Sequence, residues 1–287
     1  MTSTLTPPVP PHPDAPTPPP AQRGSSKVVA ILAIVLGGVL ILGTVLSASL
    51  SAVAAAGVRN ETLTADVRGV TSLDVDVAAA EMTVAFADVD EASLDVTAGG
   101  GAGDWELRRD GDELVVTSDR SWWRGWRLFG WFGDDARATL TLPETLEGPD
   151  LEATLHVGSG SLAADGAFGD LELDISAGDL RVDGSAARVD LGVDAGRARI
   201  DLADVREAEI DLSAGSVEGR LAGTAPASLD VQVDAGSLDL RVPEGQYAVA
   251  SDVSAGSFRH ELDTSPTAAN RITVSVAAGS VRLAESR

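Results

Sequence analysis

Leu171-Glu172-Leu173-Asp174-Ile175-Ser176-Ala177-Gly178-Asp179-Leu180-Arg181-Val182 is the stretch that decides the fold. Apolar residues alternate as far as Ala177, a glycine follows, and a second short alternation starts at Leu180. The frame returns as Val189, Leu191, Val193, Ala195, Gly196, Ala198 and Ile200, and again as Leu229, Val231, Val233, Ala235, Gly236, Leu238 and Leu240. Its glycines are Gly160, Gly178, Gly196, Gly215, Gly236, Gly256 and Gly279, spaced by 18, 18, 19, 21, 20 and 23 residues. An eighth copy, Leu73 to Val84, has Ala80 in the glycine position.

Numbered from the glycine, the apolar slots are −7, −5, −3, −1, +2 and +4. Strict alternation turns one strand face inward. The phase shifts between −1 and +2, so the chain turns a corner there, with a small inward residue at −1. Glycine is expected at that corner if the backbone needs a positive φ. Over seven repeats, 38 of 42 slots are apolar or alanine; the exceptions are Ser159, Gly219, Ser251 and His260. The expected fold is all-β, a parallel β-solenoid with about 18–23 residues per coil. A β-sandwich also alternates, but it has no reason to repeat one corner at one period.

Working outward, residues 1–27 are rich in proline, with nine of the fourteen prolines before residue 25, and read as a disordered cytoplasmic tail. Residues 28–56 carry no charge and are long enough for a membrane-spanning helix. Arg23 and Lys27 precede that run and Glu61 and Asp66 follow it, which orients the N-terminus to the cytoplasm and later residues outside. Ala54-Ala55-Ala56 would suit a signal-peptide cleavage site, but the apolar run and the tail before it are long for a signal peptide. Residues 59–150 form an irregular β section, and regular coils run over 151–287.

The protein has a formal net charge of −23 and no cysteine. Bulk electrostatics therefore exclude nucleic acid as a partner, and disulfide or thiolate chemistry is absent. His12, His156 and His260 form no metal-ligand spacing, and no nucleophile–base constellation or glycine-rich phosphate loop occurs. No enzyme activity, cofactor or metal is expected. Glu172, Asp190, Glu209 and Asp230 recur at position −6 and are expected to stack as a ladder of like charges, read as a solvated face rather than a calcium site. Position +3 offers Arg181, Arg199, Arg259 and Arg282.

Residues 119–135 break the pattern. Trp122, Trp123, Arg124, Trp126, Arg127, Phe129, Trp131 and Phe132 make a basic, aromatic island in an acidic chain. Three readings fit this composition: an apolar cap on the coil end, a bilayer-interface contact, or a contact with a partner protein or glycan. At the other end, Leu283 fills an inward slot close to Arg287. That coil is expected to be uncapped, with self-association through Ile272–Leu283.

The repeated Leu-x-Val-x-x-Ala-Gly-x-Leu-x-Val frame follows one apolar span and a first section ending in Thr141-Leu142-Pro143. In this it resembles the bacterial putative-adhesin family of toastrack-type β-strand-repeat domains of unknown function. The resemblance covers roughly residues 60–287. It implies an envelope-exposed β-solenoid, an adhesin-like role and an association with envelope-stress signalling; it implies no catalytic residues, and it does not account for the 119–135 insert. The expected function is a non-enzymatic cell-surface interaction module on a bacterial membrane anchor. The alternative is an accessory or sensor of envelope stress that touches the membrane through the Trp/Arg loop.

Overall fold

The computed structural model describes residues 59–98, 105–118 and 136–286. The tail at 1–27, the apolar span at 28–56 and the aromatic insert at 119–135 lie outside the described residues. Among those described, no helix is long and apolar enough to cross a membrane.

The protein is all-β. In chain order the strands are β1 (Arg59–Ala65), β2 (Ser72–Val77), β3 (Glu81–Ala87), β4 (Ala92–Ala98), β5 (Trp105–Asp110), β6 (Glu113–Ser118) and β7 (Arg137–Pro143). A 3-10 turn (Glu144–Leu146) precedes β8 (Glu152–Val157), β9 (Ser161–Ile175), β10 (Asp179–Val193) and β11 (Arg197–Ala203). The last five are β12 (Glu207–Ala222), β13 (Ser228–Val242), β14 (Gln246–Glu261), β15 (Asp263–Thr264) and β16 (Asn270–Glu285).

All sixteen belong to one sheet, because long strands such as β9 and β10 run from one repeat into the next. Each repeat contributes one segment to each of two parallel ladders. The segments before the glycine run β6–β2–β8–β9–β10–β12–β13–β16–β14, with β5 antiparallel outside β6. Those after it run β7–β3–β9–β10–β11–β12–β13–β16–β14. Antiparallel β4 and then β1 lie outside β7. The register is strict: Leu229 pairs Ala208 and Ile272, and Gly236 pairs Gly215 and Gly279.

Between the ladders lies one continuous apolar core, from Ala65 to Leu283. Slots −7, −5, −3, +2 and +4 fill it, as in the buried set Leu171, Leu173, Ile175, Leu180 and Val182. The −1 slot does not. Ala177, Ala195, Ala214, Ala235 and Ala278 are exposed, so the phase shift falls one residue earlier than the sequence frame places it. A further inward slot at +6 extends the frame through Leu202, Leu221 and Val242. Where +6 is Gly166, the Phe86 ring occupies the space and packs edge-on against Phe168, with centroids 5.9 Å apart.

The corner glycines also have a different cause from the expected one. Of the seven, only Gly215 has a left-handed φ, at 140°. All seven are needed for close approach instead. A Cβ on Gly178 would lie 2.5 Å from the Gly160 carbonyl oxygen, on Gly236 2.7 Å from that of Gly215, and on Gly279 2.5 Å from that of Gly236. Gly256 would strike Gly279 in the same way.

That column fixes the order of repeats: 160, 178, 196, 215, 236, 279, 256. Chain order and spatial order therefore part company at the end. β16 lies between β13 and β14, so Ile272–Leu283 is enclosed on both sides and buried at its inward slots. The expectation of an uncapped coil there is overturned. The open repeat is β14, which carries two of the four non-apolar exceptions, Ser251 and His260. The other two also have physical reasons. Ser159 sits at the exposed −1 slot, and the Gly219 slot is filled from both sides by Leu240 and Ile200. A similar exchange occurs at the other end, where β2–β3 lies inside the later β6–β7.

Substituting Gly236→Ala is expected to destabilise by about 1–3 kcal/mol, because a backbone oxygen cannot move aside as a side-chain end can. Ala235→Ser, at the exposed neighbouring slot, is expected to stay within about 0.5 kcal/mol of the parent. Urea denaturation of both variants checks this; equal losses would remove the glycine column as the corner's constraint.

Candidate interaction surfaces

Strict register turns every outward slot into a row running along the stack. On the first ladder, position −6 gives Asp74, Thr154, Glu172, Asp190, Glu209 and Asp230 on successive strands. Position −4 beside it gives Asp76, His156, Asp174, Gly192 and Asp211. The ladder of carboxylates read from the sequence is thus assembled and widened to two rows. Partial burial among neighbours raises the pKa of Glu172, Asp174, Asp190, Glu209 and Asp211, and like charges add to it: Asp174 and Asp190 act on Glu172, and Asp190 acts on Glu209. Asp74 is raised for the same two reasons. Gly192 leaves a notch over which the Asp174 carboxylate leans, its Oδ1 2.8 Å from where a Cβ would stand. His156, outward between Asp76 and Asp174, partly offsets the charge on Asp174. Among the described residues, no three His, Asp or Glu side chains converge on a metal-binding geometry.

The second ladder mixes signs. Its +3 row reads Arg181, Arg199, Glu218, Asp239, Arg282 and Arg259 across successive strands, so the arginines lie across the core from the acidic rows rather than beside them. Neighbouring repeats pair laterally: Arg199 with Glu218 at 2.6 Å, Arg197 with Asp179 at 2.8 Å, and Arg282 with Glu261 at 3.1 Å. At the second corner, Arg188 bridges Asp170 at 2.7 Å and Glu207 at 3.1 Å. All are exposed pairs, screened by solvent and salt, so they favour the register without carrying the stability of the stack. A groove of about 550 Å3 runs over Ser216, Ser237, Ser280 and Ser257, flanked by Asp239, Arg282 and Arg259. The sequence frame did not single out this serine row, although a +1 serine in five of the seven repeats, Ser161 among them, was its visible signal.

The end of the stack is a third surface. Beyond Tyr247, among the described residues, the outer edge of β14 has no strand partner; β15 covers only Gln246 and Tyr247. Tyr247 itself is sealed in the core, donates its hydroxyl to the Pro243 carbonyl at 2.7 Å, and has its phenol pKa pushed up to about 12 by burial.

The aromatic and basic residues Trp122, Trp123, Arg124, Trp126, Arg127, Phe129, Trp131 and Phe132 lie outside the described residues, so nothing is assigned to their geometry. Their attachment is defined. The insert joins Ser118, the last residue of β6, to Ala136, just before β7, at the corner position of that repeat.

No protein-family model matches the chain. No curated protein matches it either. Several solved structures are similar to it. One is a putative cell adhesion protein from Clostridium sporogenes, 8% identical, with a TM-score of 0.34, covering 80% of this chain and 100% of that one. A putative adhesin from Bacteroides fragilis is 14% identical at a TM-score of 0.39, covering 78% and 96%. Another from Parabacteroides merdae is 10% identical at 0.40, covering 80% and 96%. The solved structures to which the chain is similar are thus putative adhesins, the class its repeat frame resembles. At those scores they carry neither its fold nor its role, which rest on the strand pairing and surfaces above.

The acidic rows set a pH dependence. A carboxyl whose folded pKa is raised binds its proton more tightly folded than unfolded, so stability falls as pH rises through that folded pKa. The opposite holds for Asp66, held low by the Arg68 backbone N–H, and Glu218, held low by its bond to Arg199. Their contribution is lost only below the ordinary carboxylate range. Lowering the pH from neutrality toward the ordinary carboxylate range is therefore expected to raise the melting temperature of the full chain. Added salt at the higher pH is expected to do the same by screening. Calorimetry checks both; a melting point that falls monotonically with acidification would contradict the ladder.

Proposed function

We propose that the chain is a non-enzymatic, adhesin-like interaction module: a β-solenoid displayed outside a bacterial cell on an anchor at 28–56. The observation that supports this is polarity along the stack. The first described strand, β1, lies at one end of the ladders, and the open edge of β14 lies at the other. A chain held at its N-terminal side would present its outward rows along a rigid spacer and its open edge farthest from the membrane. Such a spacer suits contact, since a long, regular charged surface supplies area and register rather than a reaction centre. Intact cells making the full chain are expected to expose an epitope tag placed after Arg287. They are also expected to adhere to neighbouring cells or to a glycan- or protein-coated surface several-fold more than cells lacking the chain. A tag that antibodies reach only after lysis, or adhesion equal to the control, sinks this reading.

A second reading has one observation in its favour. β6 and β7, which the 119–135 insert joins, lie at the β1 end, the membrane-proximal end in the scheme above. There Trp122, Trp123 and Trp126 would reach the bilayer interface, beside arginines that suit phosphate headgroups. In this version the protein registers membrane state as an accessory of envelope-stress signalling. The full chain reconstituted in vesicles containing brominated lipid is expected to lose part of its tryptophan emission. Replacing those three tryptophans by serine is expected to abolish that quenching. Quenching that persists in the triple variant, or is absent from the parent, removes the membrane contact.

A further inference from the structure

The open edge at β14 has a shape and a charge pattern that fit one occupant. From Ala248 to Glu261 its outer backbone groups face no other strand among the described residues. The core is open there: Val249 and Phe258 are half-buried, and Val253 is 39% exposed, one of only two large hydrophobics exposed among the described residues. The acidic rows also thin out as they approach it. Asp230 is followed by Thr273 and Ala250, and Asp211 by Gln232 and Ser275, so that Asp252 on β14 is the one carboxylate of those two rows left at the edge. An unpaired strand edge over an open core is a template for another strand. In a protein of net charge −23, this is where a second copy meets least repulsion.

We propose that two copies join tail to tail through β14, about a two-fold axis that crosses the corner between Ala255 and Gly256 at right angles to the stack. On β14 the chain runs toward that corner over 249–254 and away from it over 257–261, with Leu262 just beyond the strand. The rotation lays the first segment of one copy antiparallel to the second segment of the other, and both keep their inner faces on the core. Val253 then lies opposite Phe258 of the second copy, Ser251 opposite His260, Val249 opposite Leu262, and outside them Asp252 opposite Arg259. Each pairing occurs twice, as a self-complementary contact requires. Slipping by one residue would set inward side chains against outward ones. Slipping by two brings Asp252 against Glu261 or parts it from Arg259. β15 lies outside the paired span, over Gln246 and Tyr247. Antiparallel pairing on the edge of a parallel ladder is ordinary in mixed sheets.

This inference rests on the surface-display reading for its consequence. β1 of each copy lies at the far end of its own stack, so the pairing would link chains anchored in two apposed surfaces. The pairing itself is testable apart from that. In sedimentation of the full chain in detergent micelles, a dimer is expected. Asp252→Arg or Arg259→Asp alone sets like charges opposite each other twice per dimer, and is expected to weaken it about tenfold. The double exchange is expected to restore it to within about twofold of the parent. Both positions are exposed, so the melting point should not move. The chain has no cysteine, so copies carrying Ser251→Cys mixed with copies carrying His260→Cys should form a disulfide between copies on oxidation. A monomer at high concentration, a dimer indifferent to the single exchanges, or a double exchange without rescue overturns the proposal. A dimer that shows the rescue while cells displaying the chain fail to adhere leaves the pairing standing and removes the adhesion reading. Adhesion by a strictly monomeric chain does the reverse.

Discussion

The corner where a backbone carbonyl of one repeat meets the bare α-carbon of the next governs the rest of this structure. Seven glycines stand in a column, and a single β-carbon on any of them would meet a neighbour's backbone oxygen. Each repeat is thereby seated on the one before it at a fixed position along the chain. Once the corner is aligned, slots −7 to −3 and +2 to +6 of every repeat fall opposite their equivalents. The apolar core is then the sum of these matched slots. Corner close-packing and core burial cooperate: the first sets register, and the second supplies the free energy that holds it.

Strict register has an electrostatic cost, because outward residues of one type also stack. The two ladders carry this differently. The second mixes arginines and carboxylates along its rows, so stacking also yields lateral ion pairs such as Arg199–Glu218 and Arg197–Asp179. The first stacks carboxylates on carboxylates, and every shifted group in those two rows has its pKa raised. The first ladder therefore carries a run of stacked carboxylates along one face, from Asp74 to Asp230. An acidic face of that kind repels its own copies side by side and leaves the ends of the stack as the places of least repulsion.

Much of this was legible in the sequence, for a physical reason: a period-2 alternation broken by a glycine at a constant interval has few other solutions. The alternation gave the core residues and the strand class, and the interval gave the parallel stacking. What failed was tied to particular residues. The alanine at −1 looks like one more inward slot because alanine suits either face, yet Ala177 and Ala235 lie outside the corner. The glycines were assigned to positive φ when all seven are there for close approach and only Gly215 also has a left-handed φ. The exchange of β14 and β16 could not be read from the frame, because each copy is a valid neighbour for any other. It did leave a trace. Ser251 and His260, two polar residues in slots otherwise apolar, both fall in the repeat next to last in sequence. The residues with the strongest compositional signal, the 119–135 tryptophans and arginines, lie outside the described residues, where only their attachment to β6 and β7 is fixed.

The composition of β14 gives that trace a meaning. A repeat that closed the stack against water alone would be polar across its inner face, since it buries nothing on its outer side. A repeat awaiting another of its own kind would be apolar throughout, as β13 and β16 are. β14 is neither: Val249, Val253 and Phe258 are apolar, while Ser251 and His260 are not. Under the two-fold pairing the polar residues fall opposite each other, as do the apolar ones, so no polar group is buried against an apolar partner. That half-and-half inner face tolerates exposure in the separate chain and matches itself when two chains meet. Such a match is the requirement of a contact that must form and release.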